Sequence, residues 1–350
     1  MGWIVSIAVL SALIFFHELG HYTAARFFGV YVEVFSIGFG KKIASFRLFD
    51  TEWRIAAIPL GGYVKMKGQE DLDPAAVSGD SDSYNVKPPW QRIVILLGGP
   101  AANFVLAFFL YLFIGFGNPQ VLAPVVGEVV KDSPAYVGGL ETNDTIRSIN
   151  GINIKTWEQM SNVIKASHGT LDIAVERGDY LQHLSVTPEM KEIENIFKEK
   201  VRRPIVGISS AGVPVSLDLS FTETFVYAWD ETYKASTLIF KSVQKLITGD
   251  VPAKELGGAI TIVKITADAS ESGWMAVFFF AALISVNLGV LNLLPIPALD
   301  GGHIMFNLYE MITRHAPSEA VLVKLTIVGW GLLLGLMSLG LYNDINRLMQ

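Results

Sequence analysis

The N-terminal stretch Gly2–Arg26, GWIVSIAVLSALIFFHELGHYTAAR, carries no charged side chain before Glu18. Crossing hydrocarbon takes roughly 20 residues, so the stretch reaches that length only if it includes His17-Glu18-Leu19-Gly20-His21. An ionisable group near the bilayer centre costs about 2 to 3 kcal/mol or more, and three in one short segment point to function rather than accident. The competing reading is a cleaved signal peptide. Against it, no basic residue precedes the apolar run and no convincing small-residue cleavage site follows.

Composition extends the membrane reading to the whole chain. Of its 350 residues 51% are hydrophobic and 17% charged, and the mean hydropathy is +0.41. Three further apolar segments approach spanning length: Ile93–Phe116, Met275–Leu294 and Ala320–Leu341. Lys324 lies near enough to one end of the last to snorkel. Between spans one and two stand Arg26, Lys41, Lys42, Arg47, Arg54, Lys65, Lys67 and Lys87, and Arg314 follows span three. The opposite flanks offer little beyond Lys131, Lys264 and Arg347. Positive-inside bias then places the C-terminal end of span one toward the cytoplasm and the 117–274 segment outside.

Residues four apart share a helix face, so His17 and His21 can aim imidazole nitrogens at one metal while Glu18 stands beside them to handle a proton. The chain has no cysteine, so such a site must be built from His, Asp and Glu. A catalytic zinc takes three protein ligands and leaves a position for water, whose pKa it lowers toward neutrality. Glu18 is then the expected general base. Span parity locates a third ligand, because span three must end on the side where span one ends. Asp300 follows span three by a few residues, although it lies 279 residues beyond His21 (300 minus 21). Its surroundings, Asn292-Leu293-Leu294-Pro295-Ile296-Pro297-Ala298-Leu299-Asp300-Gly301-Gly302-His303, put two helix-breaking prolines and two glycines at membrane depth. His303 is a competing ligand that spacing alone does not exclude.

Together, HELGH at 17–21 and NLLPIPALDGG at 292–302 resemble the paired motifs of the site-2 protease family of intramembrane zinc metalloproteases, in particular its bacterial RseP-like branch. The likeness covers nearly the full length. It implies Zn2+ held by His17, His21 and Asp300, with Glu18 catalytic and Asn292 contacting substrate. Gly98-Gly99-Pro100-Ala101-Ala102-Asn103-Phe104 is similar to the family's GGPxxNF element in span two. Asn103 there should face the bundle interior, either as a substrate contact or in simple helix packing.

From Thr51, the sequence TEWRIAAIPLGGYVKM (about 51–66) has β-prone residues on both sides of Pro59-Leu60-Gly61-Gly62, as a hairpin would. The family places a membrane-associated β-hairpin here that holds an extended substrate by strand addition, which makes Gly61 and Gly62 candidate substrate-binding residues. A transmembrane helix must be unwound before water can attack it, and a sheet edge can bind the extended form. A purely structural hairpin is the other reading. The acidic stretch Gln69–Ser83 reads as a mobile cytoplasmic loop.

Residues about 122–190 resemble a single PDZ domain: Val126–Val130 leads into Asp132-Ser133-Pro134-Ala135 and Gly138-Gly139-Leu140, then Asn143–Gly151. Such a domain binds an extended peptide or chain terminus at a strand edge. In the family it is associated with excluding bulky ectodomains or recognising trimmed ones. A scaffold with a blocked groove is the alternative. Beyond it, Phe221, Phe225, Trp229 and Tyr233 recur every fourth residue as an aromatic helical stripe that would lie on the outer membrane surface or pack against the PDZ domain. Gly257–Ile262 resembles a family element just before span three.

The expected fold is a mainly α polytopic membrane protein with four transmembrane helices, a membrane-associated β-hairpin and an inserted extracytoplasmic PDZ (β-rich α+β) domain. Its parts are a first membrane half at 1–116 (span two about 93–116), the PDZ domain with its C-terminal extension at 121–215, amphipathic or membrane-associated connecting helices at 216–274, and a second membrane half at 275–350 (spans about 275–294 and 320–341). The expected function is an intramembrane zinc metalloendopeptidase of the inner (cytoplasmic) membrane, with its active site toward the cytoplasm. Its partners would be the lipid bilayer, a peptide or chain terminus at the PDZ groove, and single-span membrane substrates. Regulated intramembrane proteolysis of a truncated anti-sigma factor or a signal-peptide remnant would fit. A zinc-dependent transporter would need a continuous polar path that spans three and four lack, and a catalytically inert PDZ adaptor has no use for Glu18. The formal net charge of −6 and the lack of a basic nucleic-acid motif argue against DNA or RNA as partner.

Overall fold

The computed structural model describes residues 2–69, 79–195, 197 and 199–349, with 59 and 60 described through their backbone alone. Among the described residues four helices are long and apolar enough to cross a membrane: Gly2–Phe27, Pro89–Phe116, Trp274–Asn292 and Glu319–Met349. The chain divides into two compact units, one of residues 1–115 with 221–350 and one of residues 116–220.

In the first unit, α1 (Gly2–Phe27) meets α2 (Pro89–Phe116) glycine on glycine. A Cβ on Gly20 would fall 2.0 Å from the Gly98 carbonyl oxygen, and one on Gly98 would fall 2.5 Å from that of Gly20. Lipid tails are as apolar as leucine, so helices in a bilayer join through this kind of close small-residue packing. Between the two helices, β1 (Val32–Leu48) and β2 (Thr51–Met66) form a long hairpin. Its turn falls at Phe49-Asp50, with φ of 50° and 62°, and this corrects the sequence expectation. A two-residue hairpin turn of the favoured hand needs positive φ at both central positions, whereas Pro59–Gly62 lies inside β2, where Gly61 bends the strand at φ 125°.

The hairpin folds back on itself. Val34 to Ile37 pair with Lys65 to Gly62 on one side and with Glu52 to Ile55 on the other, while Ala44 to Leu48 pair with Ile55 to Thr51. Among the described residues the segment order across the sheet is therefore 62–66, 32–37, 51–56, 42–48, with 62–66 outermost. An aromatic column docks this sheet on α1: ring centroids lie 5.5 Å apart for Phe15–Phe35, 4.3 Å for Phe35–Trp53 and 5.1 Å for Tyr22–Trp53. Each such pair adds about 0.5–1.5 kcal/mol beyond its area. Lys67 contacts Asp80 and Asp82, each at 2.8 Å, which fastens the end of the acidic stretch. Residues 70–78 of that stretch lie outside the described residues.

The second unit is β-rich: β3 (Gln120–Leu122), β4 (Val126–Val129), α3 (Pro134–Val137), β5 (Thr145–Ile149), β6 (Ile152–Asn153), α4 (Trp157–Lys165), β7 (Leu171–Arg177), β8 (Tyr180–Val186), β9 (Glu189–Glu194), β10 (Lys200–Ile205), β11 (Ile208–Ser210) and β12 (Pro214–Ser216). Strands β6-β5-β7-β8 make a four-stranded sheet, and β4 pairs with β11, β3 with β12, and β9 with β10. Ser133 and Thr156 accept backbone N–H bonds at the starts of α3 and α4, satisfying donors that a helix leaves open. Ile146, Ile149, Met160, Leu171, Ile173 and Val175 fill the core. Burying one such side chain is worth about 1.5–3 kcal/mol.

Returning to the first unit, α5 (Phe221–Thr248) turns its small residues Ala228 and Ala235 into a shared core with Ala107, Tyr111, Ala282 and Val286. Its aromatic residues Phe221, Trp229 and Tyr233 remain exposed. Next, α6 (Ala259–Ser272) lies on α1, where Ser6 Oγ donates to the Val263 carbonyl at 3.0 Å. Then follow α7 (Trp274–Asn292), α8 (Asp300–Thr313) and α9 (Glu319–Met349). The last runs past the expected end at Leu341. Its Asp344 is buried and accepts from the backbone N–H of Gly258 and Thr261 at 2.9 and 3.1 Å. It thus caps α6, a role its sequence position does not announce.

Gly20→Val should force α1 and α2 apart and destabilise the protein by about 3 kcal/mol, read as a lower thermal midpoint in detergent; an unchanged midpoint would contradict the glycine contact. Hydrogen bonds from Lys42 and Arg54, both at 2.8 Å, hold the Glu52 carboxyl down at about 2. Because the folded value lies below the ordinary 4.5, this contribution is complete above that pH and fades as pH falls toward 2. The midpoint difference between wild type and Glu52→Gln should therefore be constant above about pH 4.5 and shrink below it, and a difference that does not shrink would count against the pairing.

Candidate metal centre

Helix α1 turns His17 and His21 toward α2, and α2 holds both rings. His21 is 6% exposed, and its Nδ1–H donates to the Ile95 carbonyl at 2.9 Å, leaving Nε2 with a free lone pair. Asn103 Nδ2 lies 3.1 Å from His17 Nδ1, and among the described residues its buried Oδ1 has no hydrogen-bond partner. A half-turn of the amide, which exchanges its N and O, lets Oδ1 accept from Nδ1–H, and His17 then also presents Nε2. Asn103 is itself fixed, since its backbone carbonyl accepts from Ser285 Oγ of α7 at 2.8 Å. Gly99 completes the support: a Cβ there would fall 2.3 Å from His21 Nε2 and 2.7 Å from His17 Cε1.

Asp300 comes from the first turn of α8, where a carboxylate also suits the positive end of the helix dipole. The two following glycines let the preceding loop cross this turn. A Cβ on Gly301 would lie 2.2 Å from the Leu294 carbonyl oxygen, and one on Gly302 would lie 2.3 Å from that of Ile296. The three donor atoms converge. His17 Nε2 and His21 Nε2 are 3.2 Å apart, and Asp300 Oδ2 lies 3.3 and 3.4 Å from them. Ligands about 2.0–2.1 Å from a tetrahedral zinc are themselves about 3.3–3.4 Å apart, so the donor set fits that ion. Asp300 Oδ2 is buried and, among the described residues, accepts no hydrogen bond of ordinary geometry. An unsatisfied carboxylate oxygen is costly, and a cation shared with the imidazoles would satisfy it.

These atoms open on a cavity of about 170 Å³. Glu18, Gly62, Tyr63, Asn292, His303, Thr326 and Trp330 line it together with the three ligand candidates. The residues singled out in the sequence therefore separate into three groups. His17, Glu18, His21, Asp300, Asn292 and Gly62 share the cavity. Asn103 stands behind His17, fully buried, and Gly61 faces elsewhere, its missing Cβ lying 2.0 Å from the Phe39 ring. His303 lines the cavity but lies outside the three-residue donor cluster. Sequence reasoning missed Tyr63, Gly99, Thr326 and Trp330. Gly99 was within a recognised motif, but the two α9 residues carry no local signal.

Fold and donor set define the class: a multi-pass membrane metalloprotease that works with zinc. The chain belongs to peptidase family M50, the site-2 protease family, whose model matches residues 5–336. It is 45% identical over 347 residues to a Campylobacter jejuni protein named "Putative zinc metalloprotease", covering 99% of this chain and 94% of the relative. A Helicobacter pylori protein of the same name, from strain J99, is 38% identical over 353 residues, 99% of this chain and 100% of the relative. Metalloprotease MmpA of Caulobacter vibrioides is 33% identical over 379 residues, 97% of this chain and 94% of the relative.

Gly99→Ala should push the imidazoles off their positions while leaving the helices formed. The expected result is reduced zinc content at unchanged circular dichroism, and full zinc content would contradict the packing of Gly99 on the histidines.

Proposed function

We propose that the chain is an intramembrane endopeptidase in which His17, His21 and Asp300 hold zinc and Glu18 is the general base. The observation that carries this reading is the convergence of the two Nε2 atoms and Asp300 Oδ2 within 3.2–3.4 Å of one another, in a cavity that Glu18 also lines. Zinc, when bound, supplies a Lewis acid that polarises a peptide carbonyl and makes water acidic enough to lose a proton near neutrality. Glu18 takes the proton from water as its oxygen bonds to the scissile carbonyl carbon, and then delivers it to the nitrogen as the C–N bond breaks. With its amide turned so that Oδ1 faces Nδ1–H of His17, Asn103 together with the Ile95 carbonyl keeps both imidazoles presenting Nε2.

Residues 62–66 are the outer segment of the hairpin sheet beside the cavity, and a sheet edge accepts an extended chain as a further strand. A substrate unwound from its helix would lie there, between Gly62 and the Asn292 amide. Gly62 itself is closely packed, since a Cβ on it would lie 2.8 Å from the Ser36 carbonyl oxygen and 3.3 Å from Glu18 Cγ. The substrates that need such a site are single-span membrane proteins, and shortened regulators such as anti-sigma factors or signal-peptide remnants suit regulated intramembrane proteolysis.

The basic residues between α1 and α2 support a location in the inner membrane with the metal end toward the cytoplasm. The β-rich unit then lies outside the cytoplasm. Its mixed strands with α3 and α4 support a PDZ reading of residues 121–215, a domain that would take an extended peptide or chain terminus and sort substrates by the size of what remains outside the membrane.

The test reconstitutes wild type and Glu18→Gln with single-span peptides and measures cleavage alongside bound zinc. Glu18→Gln should keep its zinc and lose about 10²- to 10⁴-fold in cleavage rate. Undiminished cleavage would defeat the general-base role, and a wild type that takes up no zinc on loading would defeat the site.

A further inference from the structure

Positions 300, 303, 307 and 310 of α8 are Asp, His, Asn and Glu, and their spacing of three, four and three places them on one helix face. Asp300 stands at the metal centre at one end of this face. At the other end, Glu310 Oε1 lies 2.6 Å from Arg92 Nη2, with the two side chains only 23% and 14% exposed. Arg92 is held in turn, its Nε donating to the Lys87 carbonyl at 3.0 Å. Arg92 sits in the first turns of α2, the helix that also supplies the Ile95 carbonyl to His21, the close face of Gly99, and Asn103 to His17. One helix therefore orients both histidines, another carries Asp300, and the ion pair ties them across 218 residues of sequence.

The centre requires Asp300 Oδ2 to stay about equally far from two nitrogens on α1. The contacts of Gly301 and Gly302 fix the first turn of α8 only against residues 293–297, the loop directly before it. The loop itself packs on α9, where a Cβ on Gly329 would fall 2.8 Å from the Ala298 nitrogen, whereas the Arg92–Glu310 ion pair ties α8 to α2 directly. We infer that Arg92 and Glu310 are a positioning pair, which sets the position of α8 along α2 and thereby holds Asp300 opposite the histidines. The inference rests on the proposed zinc ligation. Neither residue lines the cavity, and Glu310 is ten residues from Asp300, about 15 Å along the helix, so any effect on the metal must pass through the helix. A guanidinium suits the task because its rigid planar fork fixes direction as well as charge.

The test measures zinc affinity by chelator competition, together with the thermal midpoint of the metal-free protein, for wild type, Arg92→Gln, Glu310→Gln and the double variant. Each single variant should bind zinc about tenfold more weakly, and the double variant should be no worse than the weaker single, because both remove the same constraint. Glu310→Asp, which keeps the charge but shortens its reach, should fall between and keeps the test available if the neutral variants do not accumulate. Wild-type affinity in the single variants, or losses that simply add in the double, would overturn the inference; a lower midpoint at unchanged affinity would assign the pair to stability alone and overturn it equally. Failure of the wild type itself to bind zinc would instead sink the proposed metal site.

Discussion

Direct backbone contact between α1 and α2 at Gly20 and Gly98 is the constraint on which the rest of the centre depends. With no side chain between them, the helices come near enough for His21 to reach a main-chain carbonyl and for Gly99 to pack on both imidazoles. A single methyl group at either glycine would meet backbone rather than a flexible side chain. In hydrocarbon no hydrophobic force gathers helices, so this steric fit and the hydrogen bonds it permits have to supply the association.

The same environment explains how the polar groups are arranged. At membrane depth water cannot satisfy stray donors and acceptors, and each polar group needs a protein partner. His21 uses Ile95, His17 uses Asn103, Asn103 uses Ser285, and the α6 N-terminus uses Asp344. Among the described residues Asp300 Oδ2 and Asn103 Oδ1 lack such a partner, and a cation shared with the imidazoles would satisfy the carboxylate. The exposed leucines and valines of α9 need no such account, because lipid covers them where water would cover a soluble protein.

Much of this was legible in the chain itself. The four spans follow from apolar runs near 20 residues, and the histidine pair follows from helical spacing. Parity of the spans put Asp300 at the same end as the histidines despite its distance in sequence, and the three donor groups cluster. Tertiary approach was not legible. The hairpin turn at Phe49-Asp50 lacks the glycine or asparagine that usually marks one, whereas Pro59–Gly62 carries the marks of a turn and lies within a strand. Asn103 looked equally suited to substrate or packing, and only its 3.1 Å approach to His17 distinguishes a ring-orienting role. Thr326 and Trp330 lie in an apolar span with no local motif, and reach the cavity because α9 passes beside the loop before Asp300, where a Cβ on Gly329 would lie 2.8 Å from the Ala298 nitrogen.

Zinc K-edge X-ray absorption on the purified, zinc-loaded protein measures directly whether two imidazoles and one carboxylate of this chain hold the ion. The expected spectrum shows two imidazole nitrogens and oxygen donors at about 2.0–2.2 Å, with the carboxylate contribution lost in Asp300→Asn and one imidazole lost in His21→Ala. A spectrum without imidazole scattering, or one unchanged by both substitutions, would contradict zinc ligation by these residues.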